Sequence, residues 1–195
     1  MRKRAFRLSL LAMILALATG DAAILAPRSS ATGQHAQRPR KVHRLPAADG
    51  AFLLPRIHRA RHETWHWQTL MGLRPTRSTQ AAEHARSVAY RRWIWHLWEQ
   101  RAKRAAYQAH HPPRLKSWLC IHRYEGAWTD PNPPYFGGLQ MDVGFQRTYG
   151  RDLLLRKGTA DHWTPLEQIW VAERAYRSGR GFYPWPNTAR YCGLI

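Results

Sequence analysis

The chain has 195 residues and a formal net charge of +19, because 31 Lys and Arg face 12 Asp and Glu. This length suits one domain of moderate size, or a small domain with extensions. Ten tryptophans exclude a simple disordered chain, since disordered segments lack large apolar side chains. The positive charge excludes an acidic solvating protein and a calcium-binding cage.

The charge is unevenly distributed along the chain. Residues 1–26 carry +3, residues 27–116 carry +14, and residues 117–195 carry only +2. A large positive charge is typical of nucleic-acid binders, but here the excess lies before the last 79 residues. The distribution predicts a basic stalk, helical or disordered, followed by a nearly neutral globular unit.

The amino terminus, residues 1–20, has the pattern of a secretory signal peptide. Four basic residues precede an uncharged apolar run from Leu8 to Ala18, and small residues suited to cleavage follow. Apolar character resumes over 22–26, so an uncleaved anchor is the alternative, although Asp21 interrupts the stretch. Both alternatives place the rest of the chain outside the cytoplasm, secreted or bound to the cell envelope. This location excludes an intracellular nucleic-acid partner.

The stalk itself is predicted in two parts. Residues 21–79 form a basic linker, with a short helix expected over 57–72. Residues 80–111 predict an amphipathic helix rich in Trp and Arg, because apolar residues recur at spacings of three, four and seven. These residues are Ala81, Ala85, Val88, Trp95, Trp98, Ala102 and Ala105. This stripe either lies on an anionic cell-wall polymer or membrane surface, or packs on the neighbouring domain.

One short motif within the linker suggests a metal. His62, Glu63 and His66 match the pattern H-E-x-x-H, which can bind zinc when the two histidines share a helix face. Chance alone gives this pattern in about one chain in fifty with these numbers of His and Glu, and no cleft is predicted around it. We therefore expect no metal and no other cofactor, with a zinc peptidase as a remote alternative.

Residues 112–195 predict a small, mostly helical α+β domain with one short β-hairpin. A first helix runs from Pro113 to about Tyr124, with Leu115, Trp118, Leu119 and His122 on its apolar stripe. Alternating aromatic and aliphatic residues around Gly137 and Gly138 predict the hairpin.

A further helix begins at Thr164, which forms a capping box with Glu167. Within it, Glu173 is expected to form an ion pair with Arg174 or Arg177.

Glu125 is the candidate catalytic residue. It follows the first helix, whose carboxyl end carries partial negative charge, and aromatic residues surround it in sequence. Both features favour the protonated carboxyl group. A general acid for glycoside cleavage needs this property near neutral pH. A surface glutamate without a catalytic role is the alternative.

Four motifs in residues 114–193 resemble those of the resuscitation-promoting-factor and transglycosylase-like domains. Residues 120–128, Cys-Ile-His-Arg-Tyr-Glu-Gly-Ala-Trp, are similar to the Cys-Glu-Ser-x-x-x-Trp opening of that family, and residues 135–140, Tyr-Phe-Gly-Gly-Leu-Gln, to its Tyr-x-Gly-Gly-Leu-Gln motif. Residues 168–174 resemble its Gln-Ile-x-Val-Ala-Glu-Arg helix, and Trp-Pro at 185–186 with Cys192 resembles its closing elements. The motifs agree in order and spacing.

The resemblance implies a lysozyme-like fold that cleaves the β-1,4 bond between N-acetylmuramic acid and N-acetylglucosamine in peptidoglycan. Glu125 would act as general acid and then as base. The residues implied in sugar binding are Gln140, the backbone of Gly137 and Gly138, and the aromatic residues Trp128, Tyr135 and Trp185, which stack on sugars or belong to the core.

This chain departs from the family in the position of the acid. Glu125 follows Cys120 by five residues, whereas in the family the acid follows the cysteine directly. Asp142 is either the amino-terminal cap of a helix running to Tyr149 or a second polar group that positions a water molecule. A single acid favours lytic transglycosylation, and a second carboxylate favours hydrolysis.

Cys120 and Cys192 are the two cysteines of the chain. An exported chain with an even number of cysteines is expected to form a disulfide, which closes a long loop and contributes about 4 kcal/mol. The sequence thus predicts a secreted enzyme that cleaves peptidoglycan. The alternative is a catalytically weak wall-binding module with the stalk as a basic, Trp-rich tether.

Overall fold

The computed structural model describes residues 48–78 and 87–195, all of which belong to one compact unit. The predicted signal peptide lies outside the described residues, as do Ala81 and Ala85 of the predicted stripe. No helix in the described part of the chain is both long enough and apolar enough to cross a membrane.

The part before residue 111 consists of three helices, Ala48–Ala51 (α1), Leu53–Leu70 (α2) and Val88–His110 (α3). Helices α2 and α3 run parallel, because Ile57 packs with Ile94 near the start of α3, whereas Met71, just beyond α2, packs with Ala105 and Ala109 near its end. The predicted linker is therefore helical over 53–70. Four buried residues at helical spacing favour a helix in this segment: Leu53, Ile57, Ala60 and Thr64.

The chain returns from α2 to α3 along the side of α2. Gln68 exchanges two hydrogen bonds of 2.8 Å with Thr76, one to the backbone amide and one to the hydroxyl group. The indole nitrogen of Trp65 donates to the carbonyl oxygen of Thr76 at 2.8 Å. These bonds hold residue 76 beside the last turn and a half of α2.

Helix α3 begins at Ser87, whose hydroxyl accepts a hydrogen bond from the amide of Tyr90. Its buried face recurs every three or four residues and consists of Ile94, Trp98, Ala102, Ala105 and Ala109. The predicted stripe is therefore correct at Trp98, Ala102 and Ala105. Trp95 is only half-buried and Ile94 takes the central position instead.

Residues 112–195 form a small, mostly helical α+β domain, as predicted. Its elements, in chain order, are Leu115–Glu125 (α4), Tyr135–Phe136 (β1), Met141–Asp142 (β2), Val143–Tyr149 (α5), Arg151–Lys157 (α6), a 3₁₀ turn at Ala160–His162, Pro165–Ala175 (α7), a π-helical turn at Tyr176–Arg180, and Pro186–Tyr191 (α8). The two strands are antiparallel and pair Tyr135 with Asp142 and Phe136 with Met141.

Trp118 of α4 lies at the centre of the core of this domain. Its ring contacts those of Phe182 and Trp185 at centroid distances of 5.0 and 5.2 Å. Ile121, one turn later, is fully buried, whereas Leu119 is exposed. The predicted stripe of this helix was wrong at Leu119, because the buried face runs through Trp118 and Ile121.

Helix α7 joins this domain to α2 and α3. Trp170 is 5% exposed and packs against Met71, Ala105 and Ala109. Its indole nitrogen donates to the carbonyl oxygen of Ala109 at 2.7 Å. The described residues of 48–110 are thus packed on the domain, which is the second of the two alternatives for the Trp-rich helix, and they do not form a separate stalk. Small alanine side chains on α3 make room for the indole ring.

The partner of Glu173 also differs from the prediction. Its carboxylate is buried and accepts hydrogen bonds from the guanidinium group of Arg114 at 2.5 Å and from the indole of Trp118 at 2.8 Å. Arg174 and Arg177 instead donate to the carbonyl oxygens of Leu70 and Met71. Both arginines therefore bind the end of α2 and the residue that follows it.

The predicted disulfide is present between Cys120 and Cys192, 72 residues apart. It joins the middle of α4 to the residue that follows α8. The helix at Thr164 also begins as predicted, since Thr164 and Glu167 form the reciprocal capping box. Asp142 caps α5, which ends at Tyr149 as expected.

Candidate active site

Glu125 is the last residue of α4, and its side chain is half-buried. The hydroxyl group of Thr188, on α8, donates to its Oε1 atom at 2.6 Å. The chain leaves the helix at Gly126, so the carboxyl group stands at an open helix end. The disulfide between α4 and α8 holds the two helices that carry Glu125 and Thr188.

Gln140 lies next to this helix end. A methyl group in place of the Gly126 hydrogen would stand 3.1 Å from Nε2 of Gln140 and 3.3 Å from Oδ2 of Asp130. Gln140 adopts a left-handed backbone conformation with φ of 46°, which turns the chain from β1 into β2. The structure therefore brings Gln140 beside Gly126, the residue that follows Glu125.

The amide group of Gln140 is held in a defined orientation. Its nitrogen donates to Oδ2 of Asp130 at 2.8 Å and to the carbonyl oxygen of Gly137 at 3.0 Å. Both amide hydrogens are thereby used, and the amide oxygen is left as the acceptor. Asp130 also accepts two hydrogen bonds from Asn132, which fix its carboxylate in the loop.

Gly137 and Gly138 are buried and are required by packing. Gly137 has φ of 72°, and a methyl group there would stand 2.5 Å from the side-chain oxygen of Gln168. At Gly138 it would stand 2.6 Å from both His122 and Trp128. These contacts face the interior, so the two glycines support the hairpin from inside, and their buried positions differ from the predicted groove lining.

The three predicted aromatic residues have different surroundings. Trp128 is half-buried and stacks on His122 with 3.9 Å between ring centroids. Tyr135 is exposed on β1. Trp185 is buried, and its indole nitrogen donates to the carbonyl oxygen of Leu139 at 2.6 Å. Trp185 therefore belongs to the core and not to the predicted sugar-contacting set.

Asp142 acts as a helix cap, the first of its two predicted roles. Its Oδ1 atom accepts a hydrogen bond from the amide of Phe145 at 2.8 Å. It lies opposite Tyr135 across the hairpin and is exposed. The capping bond uses one carboxylate oxygen and leaves the other facing outwards.

Sequence reasoning missed Thr188 and Asp130. Thr188 lies 63 residues from Glu125 and follows Pro186 in an unremarkable short helix, so nothing in the sequence relates it to the acid. Asp130 lies in a proline-rich loop, where Asp is common as a turn residue. The sole signal was the loop's position between the Glu125 and Gln140 motifs.

A concave region lies between α2 and helices α6 and α7. This cleft has a volume of about 550 Å³, and both histidines of the H-E-x-x-H motif, His62 and His66, line it. Among residues 48–78 and 87–195, no group of three or more His, Cys, Asp or Glu is placed to hold a metal ion. The expectation that no cleft surrounds the motif is therefore wrong, because α2 packs beside α6 and α7 and leaves a cleft between them.

Comparison with known proteins adds no family to this description. No protein-family model matches the chain, and neither a curated protein nor a solved structure matches it. The site is therefore interpreted from its own geometry.

Proposed function

We propose that this protein cleaves the glycan strand of peptidoglycan outside the cytoplasm, with Glu125 as general acid and base. The observation that carries the proposal is the placement of Glu125. Its half-buried carboxyl group stands at a helix end and accepts a hydrogen bond from Thr188, and the next residue, Gly126, lies beside Gln140. The four sequence motifs support the same function, and the disulfide supports an extracytoplasmic location.

The chemistry requires two proton transfers at Glu125, one from the carboxyl group and then one to the carboxylate. In the first step the carboxyl group donates its proton to the glycosidic oxygen as the bond to the sugar breaks. In the second step the carboxylate takes a proton from the attacking hydroxyl group. If that hydroxyl belongs to the same sugar, the product is an anhydro-sugar; if it is water, the product is a reducing end.

Other residues around Glu125 have positioning roles in this proposal. Thr188 holds one carboxyl oxygen and so orients the other towards the substrate. Gln140, with both amide hydrogens bound internally, offers its oxygen to a sugar hydroxyl group. Asp130 and Asp142 are already engaged by hydrogen bonds of the loop and of α5, which favours a mechanism with a single catalytic carboxyl group.

The experiment is glycan release from purified peptidoglycan by the wild-type protein and by Glu125→Gln. We expect release to fall at least a hundredfold in the variant, since general acid–base catalysis contributes roughly 10²–10⁴-fold. Glu99→Gln is the matched control, because Glu99 lies on α3 and bonds Lys103. Mass spectrometry of the products separates anhydro-sugars from reducing ends. Equal release by Glu125→Gln and wild type would refute the assignment.

A wall-binding module of low catalytic activity is the second candidate. Trp98 of the predicted stripe is buried between α2 and α3, but α3 also exposes Tyr90 and Trp93, whose rings stack at 5.5 Å. Arg92 and Arg104 of the same helix are also exposed, and suit an anionic cell-wall polymer or membrane surface. Wall binding by the wild type without any product release would favour this candidate.

A further inference from the structure

Two exposed tyrosines lie against each other at the α4–α8 junction. Tyr124 is 54% exposed and Tyr191 is 75% exposed. Their ring centroids are 5.8 Å apart and the ring planes meet at 39°. Large aromatic side chains that stay this exposed contribute little to the core, so the pair is available to a ligand.

The pair is placed directly beside the candidate acid. Tyr124 immediately precedes Glu125 in α4. Tyr191 follows Thr188 by three residues in α8, which puts the two on neighbouring positions of one helix face. Since Thr188 donates to Glu125 at 2.6 Å, both tyrosines lie within about a helical turn of that hydrogen bond.

The covalent structure keeps the pair in this position. Cys120 precedes Tyr124 by one helical turn, and Cys192 follows Tyr191 directly. The disulfide between them therefore joins α4 to the end of α8 about one helical turn from the tyrosine contact. Three links connect these helices in succession: the disulfide, the ring contact and the bond from Thr188 to Glu125. A ligand held by the rings would thus be held at a fixed place relative to the acid.

The chemistry of this surface suits a sugar ring. A pyranose has a face of C–H groups that packs on aromatic rings by dispersion, while its hydroxyl groups stay in water. Tyrosine offers such a ring together with a hydroxyl group that can bond a sugar hydroxyl. We propose that Tyr124 and Tyr191 form a platform that binds one sugar of a glycan strand next to Glu125. The proposal rests on the proposed function and adds a subsite to it.

Binding to a soluble glycan tests the platform separately from catalysis. The probe is a peptide-free tetrasaccharide of alternating N-acetylglucosamine and N-acetylmuramic acid, titrated calorimetrically into Glu125→Gln protein so that no turnover occurs. Adding Tyr191→Ala or Tyr124→Ala should raise Kd roughly tenfold, the loss expected for one aromatic contact. Tyr191→Phe should keep Kd within about twofold, because the ring remains. Tyr107→Ala, an exposed tyrosine on α3, is the matched control and should leave Kd unchanged.

In otherwise wild-type protein, the same alanine variants should raise KM about tenfold and change kcat less. A merely structural role would instead lower kcat and the melting temperature together. The platform is overturned if both alanine variants bind as tightly as their parent, if Tyr191→Phe loses as much affinity as Tyr191→Ala, or if the parent does not bind the tetrasaccharide. The proposed function fails on a different result, the absence of Glu125-dependent product, whatever the binding data show.

Discussion

Replacing Trp170 with alanine is expected to lower the free energy of unfolding by about 4 kcal/mol. The indole ring is 5% exposed and fills the space between α7 and the ends of α2 and α3, against Met71, Ala105 and Ala109. A buried Trp removes roughly 150–250 Å² from water, which at 25 cal/mol per Å² gives about 4–6 kcal/mol as an upper bound. Measured Trp-to-Ala substitutions in cores cost about 3–5 kcal/mol.

The hydrogen bond from Trp170 to the carbonyl oxygen of Ala109 is lost in the same variant. A net loss of about 1 kcal/mol is expected when such a partner is removed. Water can reach the vacated space from the adjoining cleft, which moderates the cost. We therefore take about 4 kcal/mol, within the range measured for such substitutions.

The assay is urea denaturation followed by far-ultraviolet circular dichroism, together with limited proteolysis of the native protein. Trp93→Ala is the matched control, because Trp93 is 56% exposed on the outer face of α3 and should change the free energy by less than about 0.5 kcal/mol. Wild type should unfold in one transition. In Trp170→Ala the helix pair should separate from the domain and become the first site of cleavage.

A loss below about 1 kcal/mol in Trp170→Ala, equal to that of Trp93→Ala, would refute the packing of residues 48–110 on α7. It would restore the independent stalk that the charge distribution predicts.

Two further predictions concern covalent and electrostatic contributions to stability. Replacing Cys120 and Cys192 together with alanine should lower the free energy of unfolding by about 4 kcal/mol, because the disulfide closes a 72-residue loop; an unchanged urea midpoint would contradict this. Burial of the Glu167 carboxyl opposes ionisation, but hydrogen bonds from Lys157 and Thr164 outweigh it and lower the pKa of Glu167 below its ordinary 4.5. Its contribution is therefore complete above pH 4.5 and is lost as the pH falls through the lowered value. Glu167→Gln should destabilise the protein at pH 7 and approach wild type in acid; a difference independent of pH would argue against the ionised capping box.

Local sequence signals predicted the local features well. The capping box at Thr164 and the cap at Asp142 depend on residues three positions apart, so the pattern contains the whole interaction. The hairpin depends on Gly137 and Gly138, whose missing side chains the packing of Gln168, His122 and Trp128 requires.

Long-range pairings could not be read from the sequence in the same way. Glu173 was assigned to arginines one and four residues away, yet its partner Arg114 is 59 residues away in the chain. The Trp-rich face of α3 was compatible with packing on a protein surface and with binding to an anionic polymer. Apolar periodicity shows that a helix face is covered, but it does not identify what covers it. The position of α2, which buries Trp98, and of α7, which covers Ala105 and Ala109, decides between the two alternatives.

The candidate site also combines residues that local sequence signals predict with a residue that depends on a long-range contact. Glu125 and Gln140 belong to contiguous motifs, and the structure brings them to one helix end. Thr188 is defined only by the approach of α8 to α4, which a single sequence does not encode as a pattern.

The contact of α7 with the end of α2 has a consequence for the order of assembly. Arg174 and Arg177 reach carbonyl oxygens 104 and 106 residues earlier in the chain, and Trp170 reaches one 61 residues earlier. A chain that emerges from its amino terminus presents α2 and α3 long before α7 exists to cover Met71, Ala105 and Ala109. The apolar end of the α2–α3 pair therefore stays exposed to solvent during synthesis. It is covered only after nearly the whole chain, including α7, has been synthesised.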